Sequence, residues 1–165
     1  RKGYGTLIRG FSALNKEMPN TKLVIVGRGH LKRRLMRLAK SLGVGEDITI
    51  ESSLSFAELA QLYRSSDLVV YPSFYEGQGL IPLEAMASGV PVVTVDHGPL
   101  PEMVDESVGA LFTMGNIESM VSVMKEVLKA GRKKGEKGRA RVLQKFTYSG
   151  NAESFENIYL EAINR

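Results

Sequence analysis

The 165 residues predict a doubly wound α/β domain, on three observations. Five short runs rich in Val, Ile and Leu are bounded by turn residues. They alternate with longer segments whose apolar residues recur at helical spacing. Two strand-to-helix junctions carry paired glycines, Gly27/Gly29 and Gly77/Gly79. That order of elements belongs to a Rossmann-like parallel sheet with helices on both faces and ligand at the carboxyl ends of its strands.

The first element is a helix. Leu7, Ile8, Phe11 and Leu14 share one face, and Pro19 ends it. Leu23-Val24-Ile25-Val26 reads as a strand buried on both faces. After Gly27-Arg28-Gly29 comes a helix to about Leu42, with Leu31, Leu35, Leu38 and Leu42 on one stripe. Its other face carries Lys32, Arg33, Arg34, Arg37 and Lys40. That face reads first as solvated, and in the sharper reading as meeting an anionic membrane or partner surface.

Ile48-Thr49-Ile50 is the next strand. Ser55–Arg64 is a helix opened by a capping box of Ser55 and Glu58, with Phe56, Leu59, Ala60 and Tyr63 on one apolar face. Leu68–Tyr71 is a strand that Pro72 terminates, and Leu80–Ser88 is a helix stopped by Gly89 and Pro91. Val92–Val95 is a strand, followed by the turn-rich loop Asp96–Glu102, whose Glu102 reads equally as a first-turn acid of a short helix. His97 reads there as an exposed loop residue. Gly109–Phe112 is the last strand. Asn116 caps a helix to about Ala130, with Met120, Val121, Met124 and Val127 inward. Gly131–Lys145 is a basic, solvated helical face. Asn151–Ile163 is a final helix with Phe155, Ile158, Tyr159 and Ala162 inward.

Composition narrows the classes. Hydrophobic content of 43% and charged content of 24% suit one globular domain able to bury a core. No apolar run is long enough to span a membrane. Arg1-Lys2-Gly3 is not followed by a signal-peptide core, and there is no cysteine to form a disulfide. A cytoplasmic location fits, with membrane association through the basic face as its variant. The net charge of +4 favours an anionic ligand or surface.

The chemistry concentrates in Pro72–Gly89, PSFYEGQGLIPLEAMASG. A strand, a glycine loop and a helix follow one another. First-turn N–H groups without internal partners, at the positive end of a helix dipole, bind phosphate. Gly77 and Gly79 let backbone approach an anion. Glu76 precedes the loop, and Glu84 lies roughly 7–8 Å along the helix axis. Such acids suit the hydroxyls on either side of a diphosphate, a ribose on one and a sugar on the other.

The Glu pair with seven residues between them, with its glycine loop, EAMASG and PVV, resembles the donor-site motif of retaining GT-B glycosyltransferases, family four. The resemblance covers nearly the whole chain. It implies that residues 1–165 are the nucleotide-sugar-binding half of such an enzyme, without its N-terminal acceptor domain. It implies a strand order of 3-2-1-4-5-6 whose first, central strand lies outside this chain. We therefore expect the strand at 23–26 to pair directly with that at 68–71, or to leave a slot beside it that is empty or filled by another chain.

The resemblance also assigns roles. Lys2 matches a lysine that contacts the donor diphosphate, together with the N–H groups of Gln78, Gly79 and Leu80. Glu76 matches the catalytic-site acid that orients the donor sugar, and Glu84 the acid that holds the ribose. Gly27, Gly29 and Gly77 line the donor cleft, and Ser52 and Leu54 match the loop against which the base lies. The expected substrate is a UDP-, GDP- or ADP-linked sugar. The acceptor is a sugar or lipid met through the other domain. No cofactor, metal or nucleic-acid partner is expected, and no protein nucleophile is assigned. Two departures stand out. Gln78 occupies a position often aromatic, and Ser52 one often glycine. Pro101-Glu102 and Gly98 match the end of a Gly-Gly-x-x-Glu loop, from which Pro99 departs.

Two other readings compete. Gly27-x-Gly29 with Glu51 is close to a dinucleotide fingerprint, but Lys32 stands where the third glycine belongs. A non-catalytic module whose basic helices meet RNA or membrane would show steeply salt-dependent binding.

Overall fold

The computed structural model describes residues 2–164. Leu7, Ile8, Phe11 and Leu14 are all buried on α1 (Tyr4–Glu17), as their spacing requires. β1 (Leu23–Val26) follows, and then α2 (Lys32–Ser41). A short 3-10 turn at Gly45–Asp47, which periodicity does not reveal, leads into β2 (Ile48–Glu51). The chain continues through α3 (Phe56–Ser65), β3 (Val69–Tyr71), α4 (Leu80–Ala87) and β4 (Val92–Val95). The turn-rich segment closes into a single turn, α5 (Leu100–Met103), with Glu102 in its first turn, one of the two readings of that residue. β5 (Gly109–Phe112), α6 (Ile117–Ala130), α7 (Lys133–Lys145) and α8 (Tyr148–Ile163) complete the chain.

All strand pairs are parallel, in two separate sheets. β1 pairs with β2, setting Leu23 opposite Ile48 and Val26 opposite Glu51. β3, β4 and β5 pair in that order, with Val69 opposite Val92 and Val95 opposite Phe112. β1 does not pair with β3; of the expected alternatives, the slot between them is the one found. It is a cavity of about 580 Å³, lined by Leu23, Ile25, Val69, Tyr71, Leu7 and Phe11 among others.

Each half-sheet has its own core. Ile25, Ile48 and Ile50 pack with Ile8 and Phe11 of α1 and Ala39 of α2. Val93, Val95 and Phe112 pack with Met120, Met124 and Val127 of α6. A third cluster joins Ala85 and Met86 of α4 to Val92, Val104 and Val142. β4 is buried along its whole length.

Three expectations need correction. β1 is not buried on both faces: Val24 is 41% exposed. Side chains alternate along a strand, so Val24 points away from the core that Ile25 enters, and α3 buries no residue fully. Phe56, placed on an inward face of α3, is 91% exposed. The last helix starts at Tyr148, because Thr147 caps it by accepting from the Gly150 N–H at 3.2 Å. Every residue from 151 to 164 is exposed, including Phe155, Ile158, Tyr159 and Ala162; no element of the described chain covers that helix.

The basic run at 131–145 is not a purely solvated face either. Its cations reach the carboxyl ends of three other helices. Arg132 donates to Arg64 O of α3 at 2.9 Å, Arg139 to Ala87 O of α4, and Arg141 to Met103 O of α5 at 3.1 Å. Carbonyls at helix ends lack intrahelical partners, and cations there also complement the dipole. α7 crosses α4 closely because Gly135 has no side chain; a β-carbon there would lie 2.2 Å from Gly89 O.

Candidate donor site at the strand ends

β3 stops at Tyr71 because Pro72 has no N–H for the ladder. The Tyr71 carbonyl accepts instead from buried Thr94 Oγ1 at 2.9 Å. The start of the chain crosses this point. Gly3 sits at φ +70°, and a β-carbon on it would stand 2.0 Å from Pro72 O. Only glycine fits. The crossing delivers Lys2 to the loop after β3.

Lys2 Nζ donates to Glu76 Oε1 at 2.5 Å and to Tyr71 Oη at 3.3 Å. Buried Ser73 donates its hydroxyl to the same Glu76 oxygen, also at 2.5 Å. Burial pushes the Glu76 carboxyl up, but the hydrogen bonds from Lys2, Ser73 and Tyr71 together outweigh it and hold the group below its ordinary value. The bond to Glu76 raises Lys2. Both are therefore charged at neutral pH. Tyr71 is raised by its burial first and by Glu76 second.

The turn after Glu76 leads to α4 through Gly79, at φ +76°. A β-carbon on Gly79 would meet Leu100 Cδ2 at 2.8 Å, so this glycine serves both its conformation and the packing beneath it. No side chain caps α4, and its first turn contains no acid. Gly77, Gln78 and Leu80 are exposed around that helix end. The loop after β4 lies alongside: a β-carbon on Gly98 would stand 3.9 Å from Glu76 O. His97 in it is exposed, as expected.

Glu84 lies on the second turn of α4 and is exposed. Its Oε2 accepts from Tyr63 Oη of α3 at 3.0 Å. Burial and then the Glu84 charge push the Tyr63 phenol far up. Tyr63 and Tyr71 both line the cavity beside β3. The two acids thus belong to two polar groups, Glu76 with Lys2, Ser73 and Tyr71, and Glu84 with Tyr63.

The ends of β1 and β2 complete the rim. Gly27 extends the ladder by donating to Glu51 O at 2.8 Å. Its α-carbon faces Tyr4 Oη, which a β-carbon would meet at 3.4 Å. Gly29 is exposed with open space around it. Arg28 ties this loop to the next one, Nε donating to Ser52 O at 3.2 Å and Nη2 to Ser53 Oγ at 2.8 Å. Ser52 is exposed and Leu54 half-buried. At the place of the third glycine of a dinucleotide fingerprint, Lys32 folds back and donates to Ile50 O at 2.7 Å. That fills the helix–strand approach such a fingerprint keeps open.

Sequence reasoning missed Tyr63, Tyr71, Ser73 and Arg28. By its spacing Tyr63 belongs to the apolar face of its helix, and spacing carries no sign of its hydroxyl. The others sit inside the motifs already marked, beside Glu76 and between Gly27 and Gly29.

A family profile described as "Glycosyl transferases group 1" matches residues 1–142. MMP alpha-(1->4)-mannosyltransferase of Mycolicibacterium hassiacum is 31% identical over 99% of this chain and 41% of that protein. D-inositol 3-phosphate glycosyltransferase of Corynebacterium aurimucosum is also 31% identical, over the same shares of the two chains. Among solved structures, sucrose-phosphate synthase of Thermosynechococcus elongatus superposes with a TM-score of 0.85 at 26% identity, over 99% of this chain and 43% of that one. HepE of Anabaena, crystallised with UDP, shares the fold at a TM-score of 0.84 and 23% identity, over 96% and 45%. The chain thus spans about two-fifths of the length of these relatives.

Proposed function

Because the chain belongs to the glycosyl transferases group 1 family, we propose that it is the half of a retaining glycosyltransferase that binds a nucleotide-diphosphate sugar. The observation that carries this reading is the meeting of Lys2 with Glu76 beside the uncapped start of α4. In sugar transfer the bond from the anomeric carbon to the diphosphate breaks as the bond to the acceptor oxygen forms. Negative charge grows on the leaving diphosphate. The Lys2 ammonium and the N–H groups of Gln78, Gly79 and Leu80 stabilise it, as fixed dipoles that need no reorganisation.

Glu76, ionised and held by Ser73, accepts hydroxyls of the donor sugar and is the catalytic-site acid of this chain. Glu84 accepts the ribose hydroxyls. The base lies toward Gly27, Gly29, Ser52 and Leu54, between loops that Arg28 ties together. Gly77 gives the phosphates access to the backbone. The acceptor, a sugar or lipid, comes from a domain outside these residues, and no metal is required. No helix among the described residues is long and apolar enough to cross a membrane. A peripheral contact belongs to α2, whose Arg33, Arg34, Arg37 and Lys40 are exposed on a helix without an acid.

A thermal-shift panel of UDP-, GDP- and ADP-sugars on the complete protein tests the proposal. One nucleotide should raise the melting temperature, and Lys2→Met should remove most of that rise. Equal shifts in Lys2→Met and wild type would remove Lys2 from the diphosphate site.

A further inference from the structure

We infer that Tyr63 is a positioning residue for nucleotide recognition: its phenol fixes the Glu84 carboxylate in the orientation that accepts a ribose. The inference rests on the ribose role of Glu84 given above. Glu84 is exposed on a helix surface, where a free glutamate carboxylate samples several rotamers. Here the Tyr63 hydroxyl donates to its Oε2 at 3.0 Å. A ligand that meets a carboxylate already fixed does not spend binding energy on ordering it.

Tyr63 is itself held from several directions. Its ring packs against the cluster of Ala85, Met86 and Val104. The start of α3 is fixed by the reciprocal bonds of Ser55 and Glu58, at 2.7 and 3.3 Å. Its end is fixed by Arg132, which donates to Arg64 O, the residue after Tyr63. A phenol donates only while protonated, and burial together with the Glu84 charge keeps it so. The bond occupies one carboxylate oxygen. A carboxylate accepts several hydrogen bonds, so room remains for the adjacent 2′- and 3′-hydroxyls of a ribose.

The test uses the complete protein. Calorimetry with UDP, GDP and ADP identifies the nucleotide that binds. That diphosphate and its 2′,3′-dideoxy counterpart are then titrated into wild type, Tyr63→Phe, Glu84→Gln and the double variant. Wild type should prefer the ribose form about tenfold or more, the worth of hydrogen bonds to a charged group. Tyr63→Phe should lose most of that preference, and the double variant should be no worse than Glu84→Gln, since the two residues act as one unit. If Glu84→Gln loses the preference and Tyr63→Phe keeps it, Tyr63 positions nothing. A Tyr63→Phe variant with a lower melting temperature and an unchanged ribose preference would likewise leave Tyr63 a packing residue. If Glu84→Gln itself keeps the preference, it is the ribose role of Glu84 that fails.

Discussion

Gly3 crosses Pro72 so closely that a single added carbon would stand 2.0 Å from the Pro72 carbonyl oxygen. The crossing sets the place of Lys2, one residue earlier. Gly3→Ala must both leave the left-handed conformation and push the strand end away. We expect a loss of about 2 kcal/mol, or about 6 °C in melting temperature for a domain of this size. Affinity for the nucleoside diphosphate should fall along with stability, because Lys2 moves off the site. Calorimetry at a temperature where both proteins are folded separates the two effects.

The two acids should divide their effects. Glu84→Ala weakens binding of the bare nucleoside diphosphate about tenfold, the scale of a lost hydrogen bond to a charged group. Glu76→Ala lowers transfer about a hundredfold or more and changes binding of the bare nucleotide much less. Steady-state rates beside calorimetry give both quantities. Equal losses of binding in the two variants would contradict separate sugar and ribose roles.

Asp105 makes a pH prediction. It accepts from Ser107 N–H at 2.9 Å, from Ser107 Oγ at 2.7 Å and from Arg141 Nη2 at 2.6 Å. The Ser107 hydroxyl first, then Arg141 and the Ser107 N–H, hold its carboxyl down at about 2. The folded value lies below the unfolded value of about 4. The stabilisation is therefore complete above about pH 4 and is lost as pH falls through about 2. Asp105→Asn should melt below wild type at pH 7, by a modest margin because the pair is partly solvated. The two melting temperatures should converge near pH 2.

The contact between α4 and α7 should rank two glycines. At Gly135 a β-carbon meets backbone, Gly89 O at 2.2 Å. At Gly138 it meets the Met86 side chain, Cγ at 3.0 Å. Backbone cannot yield cheaply, whereas methionine repacks. Gly135→Ala should cost about 2–3 kcal/mol and Gly138→Ala about 1 kcal/mol or less, read from urea unfolding. The reverse order would mean that α7 slides on α4.

Much of the fold was legible because its signals are local. The Val- and Ile-rich runs, Pro72, Gly79, the Ser55–Glu58 box and Asn116 each act on their own neighbours. The placing of Glu76 and Glu84 around one strand end was legible for the same reason. What stayed hidden depends on distant partners. The exposure of Val24 depends on which helix covers that side of β1. The duties of Arg132, Arg139 and Arg141 depend on backbone carbonyls far along the chain, and carbonyls leave no trace in residue type. Tyr63 matched the helix period by its ring, while its hydroxyl answered to Glu84, 21 residues on.

The division of the sheet bears on how tightly any nucleotide can be held. The loops assigned to the base follow β1 and β2, whereas the loop assigned to the phosphates follows β3, in the other sheet. Among the described residues no strand ladder spans the two groups, and α1 bridges them, with Ile8 and Phe11 in one core and Leu14 in the other. A strand laid into the slot between β1 and β3 would join the two groups into one ladder and so fix the loops of one relative to the loop of the other.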